Sequence, residues 1–163
     1  RVIYTCPKGP IFDQVKATEL KTKEKGLIII PGYYEGIDER IFECCNIERL
    51  SIGNMILNSG DTAAVVIAET IVRCLPNVLG NPQCINDESL HNGLLEAPHY
   101  TQPLDVEGHK VPDVLRSGHH KKSNDWKYRQ SLQQTLFNRP DLLKDLNINK
   151  TSRDIMTKIL EEA

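Results

Sequence analysis

The segment Gly26–Pro31, GLIIIP, does most to restrict the fold of this chain. It is short, wholly apolar, and closed by a glycine and a proline. Such a run suits a strand of a parallel sheet buried on both faces, although periodicity by itself does not separate it from a buried helix segment. Its neighbours support the strand. Val2–Tyr4 reads as another short strand, followed by a loop with Pro7, Gly9 and Pro10. Asp13–Lys23 predicts a helix with Val15 and Leu20 as its apolar stripe. Asp38–Asn46 predicts a second helix, with Ile41 and Cys45 on one side. Leu50–Ile52 predicts a further strand before Gly53. Thr62–Cys74 predicts a buried helix whose stripe is Ala64, Ile67 and Ile71, capped by Ser59 or Asp61. Strands alternating with helices predict an α/β domain with a parallel sheet.

At Leu75 the texture changes. From there to Arg116 the chain is rich in Pro, Asn and Gly, with no strong periodic segment. A stretch that long without structure is unusual unless it is functional. Beyond it, Lys121–Asn138, Asp141–Leu146 and Ser152–Glu162 read as helices. The chain therefore divides into an α/β part and a small helical part joined by an extended segment. Its 163 residues, 39% of them hydrophobic, suffice for one compact domain or two small ones. A net charge of −2 means that any nucleic-acid partner must be met by a local basic patch. No apolar run approaches the roughly 18 residues of a membrane span. Cys6, Cys44, Cys45, Cys74 and Cys84 are odd in number, scattered, and without C-x-x-C spacing. They read as ordinary thiols of a reducing cytoplasm, not as a disulfide framework or a zinc site.

Three features can carry chemistry. The first is a set of Gly-containing loops after the predicted strands: YTCPKGP, PGYYEGIDER and SIGNMILNSGD. In parallel α/β sheets, ligands bind beyond the C-terminal strand ends, and glycines let backbone approach them closely. One such loop would be an ordinary turn; three favour a shared pocket. Neither G-x-G-x-x-G nor G-x-x-x-x-G-K-[ST] occurs, so dinucleotides and triphosphates lose their usual signature. The second is RSGHHKKSNDWKYRQSLQQT, where Arg116, Lys121, Lys122, Lys127 and Arg129 face a lone Asp125 and are interleaved with His119, His120, Trp126 and Tyr128. It reads equally as a surface for single-stranded RNA or as a solvated helix face with one core Trp. The third is the extended segment, which offers Asp87, Glu88, His91, Glu96 and His99 without the spacing of a metal site; on these residues alone a helix start or an ordinary loop surface is the favoured reading.

Taken together, GYYEGIDER, SIGNMILNSGD, LPNVLGN, GLLEAPHYTQP, VPDVLRSGHH and RQSLQQTLFNRPDLL resemble the bacterial tRNA (guanine-N1)-methyltransferases, the TrmD family of the SPOUT class. The resemblance runs from Val2 nearly to the C-terminus. The family begins with a further strand–helix portion and a loop of consecutive glycines, so the chain is expected to be its C-terminal two-thirds. The resemblance implies a homodimer and a deep trefoil knot over Ile28 to Arg73, a rare exception to unknotted topology. It divides the chain into a knotted cofactor domain at 1–79, a linker at 80–95 and a helical tRNA-binding domain at 96–163.

The same resemblance implies that the three loops grip S-adenosylmethionine in a bent shape. The contacts fall on Tyr4, Thr5, Cys6 and Pro7; on Gly32, Tyr34, Glu35 and Gly36; and on Ser51, Ile52, Gly53, Met55, Leu57, Ser59 and Gly60. The chain departs from the family pattern at Tyr33, where Arg or His is frequent, and at Met55, where Tyr is common. It also departs at Ser59, where a Gly is usual and positive φ would strain a serine, and at Ala63, which replaces a Pro. Methylation of guanine N1 requires loss of its proton and stabilisation of charge on the ring. The implied base is Glu88, with Asp87 as the fallback; Arg73 is the matching catalytic cation and Glu96 a further active-site carboxylate. Ser117, His119, His120, Lys121, Lys122, Trp126 and Arg129 would hold the anticodon stem-loop. The target would be the guanosine at tRNA position 37, S-adenosylhomocysteine the product, and the linker would complete the partner's site. A ribose 2′-O-methyltransferase of the same fold and a non-catalytic RNA-binding fragment are the competing readings.

Overall fold

The computed structural model describes residues 1–23, 26–80, 88–90, 92–144 and 146–163. Cys84, Asp87 and His91 lie outside the described residues. The chain forms two compact units, Arg1–Pro82 and Gln83–Ala163.

The first unit is built on three parallel strands, β1 (Val2–Thr5), β2 (Ile28–Pro31) and β3 (Ile47–Leu50), in the order β2-β1-β3. Central β1 buries Ile3, Tyr4 and Thr5. Burial on both faces therefore belongs to β1 and not to β2, whose Ile28 is 62% exposed on the outer strand. The third strand begins at Ile47, ahead of the expected Leu50–Ile52. Glu48 and Arg49 hide it in the sequence, because a strand with two charges looks like a surface loop. Here both charges are matched: Glu48 meets Lys16 at 2.7 Å and Arg1 at 2.5 Å, and Arg49 pairs with Glu39. Burial pushes the Glu48 carboxyl up, but its hydrogen bonds to Lys16 and Arg1 outweigh this and hold it below its ordinary range.

Among the described residues, three helices complete this unit. α1 (Gln14–Lys23) starts where the Asp13 carboxylate accepts the Lys16 N–H at 2.8 Å. It buries Ala17 and Leu20; Val15 points outward at 77% exposure. α2 (Ile41–Cys44) is shorter than the expected 38–46 helix, because Asp38 folds back on the Arg40 N–H and Cys45 is extended. Ile41 and Cys45 are exposed, and the inward residue is Phe42. α3 (Asp61–Arg73) has Gly60 at its N-cap position, and the Ser59 hydroxyl, one of the two expected caps, accepts the Asp61 N–H at 3.4 Å. Its buried stripe is Ala63, Ile67 and Ile71, with Ala63 in place of Ala64, while Val65 and Val72 face outward. Ile3, Ala17, Leu20, Leu50, Ile67 and Ile71 form one core. Each large aliphatic buried there contributes about 1.5–3 kcal/mol.

The second unit is mostly helical. The short α4 (Asp113–Arg116) lies against α5 (His120–Asn138); α5, a 3₁₀ turn at Pro140–Lys144 in place of the expected helix, and α6 (Lys150–Glu162) pack around Leu94, Leu132 and Ile159. The Asn149 side chain caps α6 by accepting the Ser152 N–H at 2.9 Å. A small hairpin, β4 (Asp105–Val106) with β5 (His109–Lys110), lies inside the stretch expected to lack regular structure. Its turn residues Glu107 and Gly108 are both left-handed (φ 51° and 87°), as a two-residue hairpin turn demands. Among the described residues, no helix is long and apolar enough to cross a membrane.

Candidate functional site

The loops that follow β1, β2 and β3 meet at the C-terminal edge of the sheet around a cavity of about 290 Å³. Each cofactor contact expected from the sequence lines this cavity except Gly53. Gly53 instead makes the turn of its loop (φ 142°), where its carbonyl accepts from the Ser51 hydroxyl and the Met55 N–H.

One buried hydroxyl holds the three loops together. Thr5, 4% exposed, accepts the Gly32 N–H at 3.1 Å and donates to the Gly60 carbonyl at 3.3 Å. The Gly60 N–H in turn donates to the Gly32 carbonyl at 2.5 Å. Backbone is packed so closely here that a Cβ on Gly60 would lie 2.3 Å from the Thr5 hydroxyl and 2.4 Å from the Gly32 nitrogen. A Cβ on Gly32 would lie 2.7 Å from the Thr5 carbonyl. These two glycines are required by contact, and Gly36 (φ 107°) by backbone conformation. Ser59 is not left-handed, so the strain anticipated there does not arise; the non-glycine residue of these loops that takes that conformation is Tyr34, at φ 50°. Tyr34 is almost wholly exposed and stands edge-on to Tyr33, with ring centroids 4.2 Å apart.

The cavity has a second wall that sequence reasoning missed. Phe42 stands edge-on to buried Tyr4 at 5.5 Å, and the Arg49 guanidinium lies 3.6 Å from the Phe42 ring centre. Arg49 pairs with Glu39, which Lys8 also approaches at 3.9 Å. Burial raises the Tyr4 phenol above its ordinary value, and nearby Cys6 adds to this against the opposing pull of Arg49 and the Ile37 backbone. The motif GYYEGIDER contained Glu39, but no local pattern joins residues 8, 39, 42 and 49. They meet only because β3 pairs with β1 in parallel.

The expected catalytic groups occupy both units. Arg73 ends α3 in the first, half-buried. Glu88 and Glu96 belong to the second. Glu88 is half-buried, and the adjacent Ser89 hydroxyl accepts the Glu96 N–H at 3.0 Å. Glu96 meets His99 Nε2 at 3.4 Å beside a shallow cleft that Ser89, Pro98 and Gln134 help to line.

The basic segment forms the start of α5. His119 is its N-cap, His120, Lys121 and Lys122 are exposed, and Ser117 closes α4 by donating to the Val114 carbonyl. Trp126 is half-buried and tilted against Tyr100, with centroids 6.2 Å apart, while Arg129 reaches Glu162 on α6 at 2.5 Å. Lys122, Trp126 and Arg129 recur every three or four residues and share a face of α5.

The chain matches the family model for tRNA (guanine-1)-methyltransferase TrmD over residues 1–145. It is 48% identical over 162 residues to the tRNA (guanine-N(1)-)-methyltransferase of Shouchella clausii, covering 99% of this chain and 66% of that relative. It is 46% identical to the enzyme of the same name from Bacillus cereus strain G9842 and 45% identical to that from Bacillus anthracis strain A0248, with the same coverage. The chain thus spans 66% of the length of these relatives. By the extent of these matches, the chain belongs to the TrmD family.

Proposed function

We propose that the protein transfers a methyl group from S-adenosylmethionine to N1 of the guanosine at position 37 of tRNA, next to the anticodon. The observation that carries this reading is the cavity at the strand ends, walled by three loops that lie within the stretch matching the TrmD family. Its walls suit the cofactor: close-packed glycine backbone offers N–H and carbonyl groups, tyrosines offer flat surface, and Glu35 offers a carboxylate for an ammonium. Once bound, S-adenosylmethionine supplies a methyl made electrophilic by its sulfonium.

The protein's own groups do the rest. Guanine N1 carries a proton, and Glu88 removes it as general base. Arg73 offers its guanidinium to the charge that builds toward O6, and Glu96 is the second carboxylate of the site. Lys121 and Lys122 meet phosphates of the anticodon stem-loop and Trp126 offers a ring to an unpaired base, with Ser117, His119, His120 and Arg129 around them. S-adenosylhomocysteine leaves as product.

The finer architecture belongs to the same proposal. Family membership is what supports a trefoil knot over Ile28 to Arg73; the third loop lies directly on the second within that stretch. Residues 1–79 form the knotted domain, 80–95 the linker and 96–163 the tRNA-binding domain of a cytoplasmic homodimer whose subunits share each site.

Labelled methyl transfer tests the reading. A tRNA transcript with guanosine at position 37 takes up label from S-adenosylmethionine as a methylated base, and the same transcript with adenosine there takes up none. Label in the ribose, or on neither transcript, would refute it.

A further inference from the structure

We infer that Ser131 and Thr135 of α5 are positioning residues that fix the segment bearing Glu88 and Glu96 to the helix bearing the basic cluster. The inference rests on the methyltransferase reading above. Thr135 is wholly buried. A helical threonine commonly donates to the carbonyl one turn back, and this one does so to Ser131 at 2.8 Å. Its oxygen is thereby left free to accept from outside the helix, and it accepts the Leu95 N–H at 2.9 Å. The Ser131 hydroxyl donates to the Leu95 carbonyl. Two hydroxyls one turn apart thus take both backbone groups of a single residue.

The connection runs on to the proposed base. Leu94 is packed in the core against Leu132, which lies between the two hydroxyl residues on α5. Glu96 follows Leu95 and donates its N–H to Ser89, the residue after Glu88. Leu90 N–H donates to the Leu94 carbonyl at 2.8 Å. An apolar residue would fill the Thr135 position without the cost of burying a polar group. The hydroxyl makes sense where Leu95 must be held in register. Lys122 and Thr135 stand about 20 Å apart along one rigid helix. RNA seated on the start of α5 therefore meets carboxylates held at a fixed distance along the same rod.

Thr135→Val and Thr135→Ser in the full protein test this, with three readouts: amide exchange at Leu95 and Glu96, transcript affinity, and the single-turnover rate of methyl transfer. In Thr135→Val, exchange at Leu95 rises about tenfold or more, transcript affinity stays within about twofold, and the transfer rate falls about 10- to 100-fold through misplacement. Thr135→Ser restores both exchange and rate. Ser131→Ala, which removes only the bond to the Leu95 carbonyl, gives a smaller loss of the same kind and serves if the valine variant does not fold. A parental rate in Thr135→Val, a rate loss matched by equal loss of transcript affinity, or failure of the serine variant to restore the rate would overturn the inference. If the parent itself transfers no methyl, the functional reading falls and exchange alone decides. Slowing of Leu95 exchange by the transcript in the parent but not in Thr135→Val upholds the coupling, and equal slowing in both overturns it.

Discussion

The loops around the cavity of the first unit and the described residues of the Glu88–His99 segment of the second are both irregular chain, yet they are held in opposite ways. Around the cavity, backbone holds backbone. Gly60 lies on Gly32, and a single threonine hydroxyl joins the loops. Around Glu88 and Glu96, side chains hold backbone: Ser89, Ser131 and Thr135 supply the partners that a sheet would otherwise provide. The first arrangement makes a surface of fixed shape, fit for binding. The second places individual carboxylates, fit for proton transfer. The two halves of the proposed reaction should therefore fail separately.

Glu88→Gln is expected to produce the largest effect. It removes the base without changing a residue that lines the cavity, so methyl transfer falls by about 10²–10⁴ while cofactor affinity is unchanged. An unchanged rate would remove Glu88 from the mechanism. Leu132→Ala strikes the core of the second unit and costs about 2–5 kcal/mol, read from chemical denaturation. Cofactor affinity under native conditions should survive it, and a parallel loss would mean the regions do not fail separately. Thr5→Val keeps the shape of the first region but leaves the Gly32 N–H without its buried partner, at about 1–3 kcal/mol. Calorimetric titration with S-adenosylmethionine should show correspondingly weaker binding, restored by Thr5→Ser.

The smallest effect concerns the periphery of the first unit. Glu48 is held below its ordinary range by Lys16 and Arg1, so its contribution is present above the carboxyl's unfolded pKa and is lost as pH falls through the lower folded value. Glu48→Gln should cost roughly 1 kcal/mol near neutrality, since the pair is only partly screened from water. The gap between parent and variant should close in acid. A gap independent of pH would assign the loss to packing.

How much of this was legible in the sequence follows the same contrast. Apolar runs and glycines are local signals, so β1, β2 and the three loops around one pocket could be read directly, whereas the individual contacts followed from the family resemblance. Where a residue's partner is distant in sequence, reading failed. Glu48 and Arg49 disguised β3 because Lys16, Arg1 and Glu39 lie elsewhere in the chain. Phe42 was passed over for Ile41 and Cys45 because only the packing of Tyr4 and Arg49 makes it the inward residue. The hairpin at 105–110 has strands too short for any periodicity, although the Glu107-Gly108 pair was a turn signal. Ser131 and Thr135 look like polar surface residues of a helix until Leu95 is set between them.

The central claim is that close-packed glycine backbone shapes a cofactor site in the first unit. Titrating S-adenosylmethionine into the parent, Gly60→Ala and Glu88→Gln tests it most directly, with circular dichroism to establish that each is folded. The methyl group of Gly60→Ala must displace the Thr5 hydroxyl or the Gly32 backbone, so a folded Gly60→Ala should bind at least about tenfold more weakly. The parent and Glu88→Gln should bind equally. Undiminished binding by Gly60→Ala, or no binding by the parent, would contradict the account.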